Sequence, residues 1–298
     1  MLIIFVENIN NTLKMNIYRL LFISLCLPFY AFVQTDSEST ANEKKYRLSG
    51  IYIQWGYNVE WYTRSNIHFK MNNGDNFTLH KARGAQRTSF DAIYKHPLDI
   101  TIPQYNWRIG FYINDEQTKA IEINFDHTKY VVEDGQALRV SGTLEGNEID
   151  QVMIMDPDEF LHFEHTDGAN FLHFNYVSHH TLLKAQKKDR KLVTGLWKAG
   201  AGVNIPRTDF TYKGNRLNNK FHISGFNISV EGGLRYYPTR TFFLEITGKT
   251  GYVNYLNALA DTDITQGNRA HHHFGYVEFV GTIGGDIHFK SKKDKVKK

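Results

Sequence analysis

Eight stretches of the chain, each about ten residues long, alternate between an apolar, aromatic face and a polar or glycine face. In the first stretch the apolar side is Ile51, Ile53, Trp55, Tyr57, Val59 and Trp61. Because successive side chains of a β-strand point to opposite faces, each stretch predicts a strand with one apolar and one polar surface. We therefore predict strands at 51–62, 102–114, 119–131, 168–178, 192–205, 222–237, 241–252 and 273–289. No apolar helical period of useful length follows Tyr46, which favours an all-β domain.

The connections between these strands alternate in length. Short links, Asn114–Gln117 and Tyr237–Arg240, join strands two to three and six to seven, and the 179–190 link is moderate. Long links span 64–101, 132–167, 206–221 and 253–272. Short periplasmic turns and long outer loops are typical of membrane barrels. The pattern predicts an antiparallel transmembrane β-barrel, with eight strands that close without a free edge.

Two of the long links contain hairpin patterns. Segments 67–71 and 77–82 flank the turn 72–75, and segments 137–144 and 149–155 flank the turn 145–148. Asn-Gly between alternating segments is a strong hairpin signal. We interpret both as protruding extracellular hairpins; if they entered the membrane, the barrel would have ten or twelve strands.

The same period fits a soluble lipocalin-like carrier of an apolar ligand, in which the apolar face points inward. Glycines and charges of both signs share the polar face, where a narrow lumen needs small residues and paired charges. Together with the loop lengths, this favours apolar side chains facing lipid.

The ends of the chain differ from its body. Residues 1–34 have the features of a signal peptide, with Met15 as the expected start, and 35–45 form a polar linker. The barrel domain is then 46–289, and 290–298 is a basic periplasmic tail. We expect Sec-type export to the outer membrane. The single cysteine, Cys26, lies in the signal, so the mature chain lacks disulfides, thiolate metal sites and a cysteine nucleophile.

The net charge of +4 does not indicate a nucleic-acid partner. The tail 290–298 holds six lysines and one aspartate, so the rest of the chain is close to neutral.

One local repeat carries candidate chemistry: Phe125–Thr128 and Phe163–Gly168 share an acidic residue followed by histidine. The predicted topology places both at the outer rim. A histidine oriented by a carboxylate is a usable general base. We predict Asp126, His165 and Asp167 as catalytic candidates, with binding candidates Glu164, Arg64, Arg207 and Lys249. The ordinary alternative is that these residues make lumen hydrogen bonds and contacts with lipid headgroups.

A histidine run, 271–273, does not predict a metal site, because adjacent residues on a strand do not share a face. We predict no metal and no cofactor.

The alternation, the loop asymmetry and the last strand ending in Phe289 resemble the small outer-membrane β-barrel proteins of Gram-negative bacteria. In that family a C-terminal aromatic residue is an assembly signal, whereas nine residues follow Phe289 here. Some members, the lipid A deacylases and palmitoyltransferases, use a histidine-based site near the outer surface. The resemblance therefore implies an alternative function as a lipid hydrolase or acyltransferase, although Ser65 and Ser141 lie in no recognisable nucleophile motif.

The leading hypothesis is an outer-membrane barrel whose lumen is plugged by paired polar side chains. Its expected role is envelope maintenance, or interaction with a ligand or partner through long outer loops. The expected surroundings are lipopolysaccharide around the barrel and a possible extracellular ligand at the loops, with the monomer favoured.

Overall fold

The computed structural model describes residues 47–87, 90–95, 104–165, 168–185, 190–217, 219–262 and 264–289, all within the unit Tyr46–Lys298. The predicted signal peptide, linker and basic tail, and Asp167, lie outside the described residues. Within the described ranges no helix has the length and apolar character needed to cross a membrane.

Seventeen strands and one short helix make up the described part of the chain. Their bounds are β1 Gly50–Tyr62, β2 Ser65–Lys70, β3 Asn76–Ala82, β4 Gly84–Ala85, α1 Phe90–Lys95, β5 Tyr105–Tyr112, β6 Lys119–Asp126, β7 Tyr130–Val132, β8 Ala137–Leu144, β9 Asn147–Ile154, β10 Leu161–His165, β11 Phe171–Ala185, β12 Arg190–Asn204, β13 Asp209–Tyr212, β14 Asn215–Arg216, β15 Gly225–Tyr236, β16 Phe242–Leu259 and β17 Arg269–His288.

Eight of these strands pair in a closed antiparallel ring, in the order β1, β5, β6, β11, β12, β15, β16 and β17, with β17 returning to β1. Following the register from Gly50 around the ring leads back to β1 at Glu60, ten residues further along the strand. Such a stagger requires strands tilted by roughly 35–45° from the barrel axis. The predicted all-β antiparallel barrel is confirmed.

The two faces of the ring have the predicted polarity. Side chains exposed on the outer face are large and apolar, among them Ile53, Trp61, Phe174, Ile228, Leu234, Ile246, Phe279 and Ile283. The alternate positions are buried and mostly polar, beginning on β1 with Gln54, Asn58 and Glu60. A lipocalin-like carrier needs the reverse arrangement, so the structure rules out that alternative.

Several predicted loops are in fact strands, and here the expected bounds were wrong. β11 continues to Ala185 through the predicted 179–190 link, and β16 and β17 extend into 253–272. In these segments apolar and polar residues alternate less strictly, because side chains beyond the lipid do not have to be apolar on the outer face. Exposed polar residues such as His271 and His273 therefore obscured the alternating pattern.

The long links fold into a second layer at the outer end of the ring. β2, β3, β8 and β9 extend the ring sheet from β17 in that order, and β14, β13, β10, β7 and β4 form a separate small sheet. The two predicted hairpins are β2–β3 and β8–β9, and both lie outside the eight-stranded ring. We call these nine strands, with the outer ends of β16 and β17, the dome.

The dome has its own hydrophobic core, which outer loops of a barrel do not require. Phe69 stacks between Phe77 and Phe210, with ring centroids 5.2 and 5.3 Å away. Other buried members of the core include Ile67, Leu79, Val140, Met155, Phe160, Leu161 and Phe163. The dome is therefore a folded unit and not a set of independent loops.

Candidate functional site

The ring encloses a concentration of charged side chains. Inward positions on seven of its strands carry buried carboxylate, lysine or arginine side chains: Glu60, Arg108, Glu122, Asp126, Lys198, Glu231, Arg235, Glu245, Lys249, Glu278 and Asp286. Seven of these are acids and four are bases. Burial of an ion is costly unless it is paired, so the arrangement of the pairs determines whether the lumen is stable.

Lys198 occupies the middle of the lumen. Its Nζ lies 3.1 Å from Glu122 Oε2, 3.0 Å from Glu245 Oε1 and 3.4 Å from Glu231 Oε1. Arg108 contacts the same Glu231, and it lies 3.7 Å from Glu245. These residues come from β5, β6, β12, β15 and β16, so the contacts join strands that are not neighbours in the ring.

A second group lies nearer the dome. Lys249 forms an ion pair with Asp126, and its Nζ is 3.3 Å from both Glu278 Oε2 and His173 Nε2. All four side chains are buried. Three strands, β6, β11 and β17, thus contact one ammonium group on β16.

Aromatic rings fill the end of the lumen that lies away from the dome. The Arg235 guanidinium lies over Phe243 at 3.9 Å and over Tyr52 at 4.5 Å, and its Nε donates to Glu245 at 2.7 Å. Gly110 makes room for this packing, because a Cβ there would lie 1.9 Å from the Tyr52 ring. The small residues on the polar face therefore serve lumen packing.

At the other end, the lumen meets the dome through a layer of aromatic side chains. The Tyr62 hydroxyl donates to Glu60, and its ring packs on Tyr130 and Phe274 at 5.2 and 5.1 Å. Tyr130 and Phe274 belong to the dome core. The charged lumen and the apolar dome core are thus in direct contact.

His165 lies inside this dome core and not on a surface. Its Nε2 is 3.2 Å from Nε2 of His272, and its Nδ1 is 3.0 Å from the Thr208 hydroxyl. Burial lowers the pKa of His165 to about 3, so the imidazole is neutral at physiological pH. A neutral, enclosed imidazole packed against the Tyr255 ring at 4.8 Å is a packing and hydrogen-bonding residue in this geometry.

The predicted catalytic set is divided between two environments. Asp126 faces the lumen and pairs with Lys249, whereas His165 faces the dome core and pairs with His272. The two repeats do adjoin along the backbone, since the Ala169 N–H donates to the Thr128 carbonyl and β10 pairs with β7. Their side chains nevertheless make separate contacts. The catalytic role of Asp126, His165 and Asp167 stays a prediction.

The predicted binding residues are also spread out. Lys249 lies within the lumen, Arg64 is exposed, and the Arg207 Nε donates to the Asn219 carbonyl at 2.9 Å. Glu164 pairs with Arg87 and lies 3.2 Å from His162 Nε2.

Two polar contacts on the dome were missed from the sequence. His162 lies between Glu164 and Asp134, whose Oδ1 is 2.6 Å from His162 Nδ1. On the outer face of the dome sheet, His80 Nε2 is 2.7 Å from the Ser141 hydroxyl. The second pair joins neighbouring strands β3 and β8, whose pairing no local motif reveals.

The histidine run at 271–273 alternates between faces, as the strand period predicts. His272 is buried in the dome core, whereas His271 and His273 are exposed. Within the described ranges, no three histidine, cysteine or acidic side chains form a group suited to a metal ion.

No protein-family model and no curated protein matches the chain. Similar solved structures include the attachment invasion locus protein Ail of Yersinia pestis, at 11% identity over 81% of this chain and 100% of that chain, with a TM-score of 0.34. Neisserial surface protein A is 12% identical over 80% and 98%, with a TM-score of 0.36. OprG from Pseudomonas aeruginosa is 9% identical over 83% and 100%, with a TM-score of 0.39.

Similarity at this level carries no inference about function, so the assignment rests on the geometry of the chain itself. Eight strands close into a ring, apolar side chains cover its outside, and charged side chains fill its inside. An apolar exterior around a polar interior is the arrangement that a bilayer imposes on a barrel. The chain is therefore a transmembrane β-barrel similar in fold to the small outer-membrane β-barrel proteins.

Proposed function

We propose that the protein is a non-conducting outer-membrane barrel that holds the dome above the membrane as a binding platform. In this proposal the barrel is an anchor, and the interaction with the envelope or with an external ligand takes place on the dome. The observation that carries the proposal is the ion-pair network around Lys198, closed on its outer side by the aromatic layer of Tyr62, Tyr130 and Phe274.

The network supports a plugged lumen for a physical reason. An eight-stranded barrel has an interior just wide enough for side chains to fill. Separating a buried pair costs roughly 3–5 kcal/mol, because one charge is then left without a partner. An open pore would require several such pairs to separate at once, so the closed lumen is strongly favoured.

The dome supports the platform half of the proposal. Its core packs Phe69 against Phe77, Phe163 and Phe210 at centroid distances of 5.2 to 5.3 Å. A surface held by such a core is preorganised, so little conformational entropy is lost when a ligand binds to it.

Planar-bilayer recordings test the plugged lumen. Purified protein is added at increasing amounts, with a general porin of known conductance as the positive control. We expect no stepwise current above the baseline. Steps on the nanosiemens scale of porins would overturn the proposal.

Location and display are tested separately. Fractionation is expected to recover the protein with the outer membrane, and protease added to intact cells is expected to cut only the dome. Recovery in the periplasm, or cleavage of the turn at Tyr237–Arg240 from outside, would overturn the assigned orientation.

The alternative of a lipid-modifying enzyme has less support. It requires an accessible base at the rim, whereas the His165 imidazole is buried and 3.2 Å from His272. Mass spectrometry of lipid A from cells with and without the protein decides this point. A lipid A profile that the protein changes, and that His165→Ala restores, would support the enzyme alternative. An unchanged profile would exclude it.

A further inference from the structure

Strand β9 ends the twelve-stranded sheet of ring and dome. It pairs with β8 along its whole length, and among the described residues no strand pairs with its other side. An unpaired strand edge presents a row of N–H and C=O groups to which another strand can bind.

The turn before β9 identifies which groups face the open edge. Glu145 and Gly146 have φ angles of 52° and 77°, as in a two-residue type I′ turn between Leu144 and Asn147. The Met155 N–H donates to the Gln136 carbonyl, so odd-numbered residues face β8. The backbone groups of Glu148, Asp150, Val152 and Ile154 therefore point to the open side.

Proline, lysine and bulges, which protect many edge strands, are absent from β9, whose charged residues are Glu148 and Asp150. Natural edges are shortened, bulged, or marked by lysine or proline. β9 has eight residues without either, and its register with β8 has no shift. Val152 is 69% exposed and Ile154 is 53% exposed. On the opposite face, Ile149 and Met153 pack on the dome core and hold the edge in place.

The charge around β9 indicates the kind of partner. Residues 145–159 contain six carboxylates and no lysine, arginine or histidine. Lys213 neutralises Glu145 and Arg139 neutralises Asp150. The other four, Glu148, Asp156, Asp158 and Glu159, have no cationic partner among the described residues.

We propose that β9 binds an extended cationic peptide by antiparallel strand addition. Backbone hydrogen bonds to the four even-numbered residues supply the affinity. Apolar side chains of the peptide cover Val152 and Ile154, and basic side chains at its ends face Glu148 and Asp156. This inference rests on the proposed display of the dome outside the cell and names the class of partner.

The probe is a fluorescent nine-residue peptide of sequence KTVTVTSTK, whose valines fall opposite Ile154 and Val152 and whose lysines fall opposite Asp156 and Glu148. Fluorescence polarisation is measured on the full protein in detergent micelles. We expect saturable binding by the wild type. A peptide with alternate backbone nitrogens methylated keeps the charge but loses donors, and it is expected to bind at least about tenfold more weakly.

Two protein variants complete the test. Val152→Pro removes an N–H at the open edge and leaves the β8 hydrogen bonds in place, and it should weaken binding at least about tenfold, whereas the matched control Val152→Thr keeps the N–H and the affinity. If Val152→Pro does not fold, Glu148→Lys with Asp156→Lys serves instead. That variant should lose the lysine probe and bind a probe with glutamate in place of lysine.

Absence of binding to the wild type, or equal binding of the methylated probe, overturns the inference. Light scattering that shows a dimer abolished by Val152→Pro would also overturn it, because a second copy would then occupy the edge. If the protein carries no current but does not bind the peptide, only the proposed class of partner is refuted. A porin-like current refutes the proposed function, whatever the peptide does.

Discussion

Lys249 and Asp126 form an ion pair inside the barrel, and neither side chain is exposed. Glu278 and His173 complete the surroundings of the ammonium group. The Lys249–Asp126 ion pair joins β6 to β16, which are separated by three strands in the ring. Contacts of this kind hold opposite walls of the barrel together across the lumen.

Removal of this ammonium group is expected to destabilise the barrel. Lys249→Met keeps the length of the side chain but leaves Asp126 and Glu278 without their cation, at a cost of roughly 3–5 kcal/mol. Urea unfolding in detergent, followed by tryptophan fluorescence, should show a lower midpoint.

Two variants control for that result. Lys70→Met, at an exposed position on β2, should leave the midpoint unchanged. Adding Asp126→Asn to Lys249→Met should recover part of the loss, because it removes one unpaired charge. A midpoint for Lys249→Met equal to that of the wild type would mean that the lumen is hydrated and that the pair is dispensable.

The sequence predicted the barrel because a bilayer imposes a simple rule on each strand. Wherever one face meets lipid and the other meets the lumen, side chains must alternate, as they do from Ile51 to Trp61. The orientation of the faces followed from the charges and glycines on the polar side. The two hairpins were readable as well, since turns such as Asn72–Asp75 have their own local signal.

The dome was not predictable to the same degree. Its core joins segments distant in the sequence, such as Phe69 on β2 and Phe210 on β13. The periodicity of apolar residues along the chain does not indicate which loops pack together. Asp126 and His165 make separate contacts for a related reason. Topology placed Asp126 and His165 near one rim, but only the pairing of β10 with β7 and β13 directs His165 into the dome.

A hydrogen bond from Tyr212 to Asp75 is expected to hold the turn before β3 against β13. Burial opposes ionisation of Asp75, but donors from Tyr212, the Glu145 N–H and Asn73 outweigh it and lower the pKa of the carboxyl group. Tyr212→Phe should weaken the dome by about 1–3 kcal/mol. Hydrogen exchange should rise in β2, β3 and β13 but not in the ring.

The matched control for this change is Tyr94→Phe, at a residue that is 86% exposed. It should leave exchange in the dome unaltered. Faster exchange in the ring strands of Tyr212→Phe, to the same extent as in the dome, would show that the two do not open independently.

The stability of the dome is expected to depend on pH through His162. Hydrogen bonds to Glu164 and Asp134 outweigh partial burial and raise its pKa to about 9. This pKa exceeds that of histidine in the unfolded chain, so protonated His162 stabilises the folded dome. The stabilisation is fully present below about pH 6.5 and is lost as the pH rises through 9. NMR titration of the imidazole should give the raised value, and Asp134→Asn should lower it. A His162 pKa near 6.5 would mean that these contacts do not form in solution.

Adjacent positions on β16 show which face of the ring meets lipid. Ile246 is 64% exposed and Thr247 is 1% exposed, on opposite faces of the same strand. Since Cys26 is the only cysteine in the sequence, single-cysteine variants at these sites accept a nitroxide label without interference in protein produced without residues 1–34.

Electron paramagnetic resonance of the labelled protein in bilayers distinguishes lipid from water by collision with oxygen or with a water-soluble nickel chelate. We expect high oxygen and low nickel accessibility at Ile246→Cys, and an immobilised label shielded from both at Thr247→Cys. A label at position 246 that collides with nickel, with the lipid signature at 247, would mean that the apolar side chains do not face lipid.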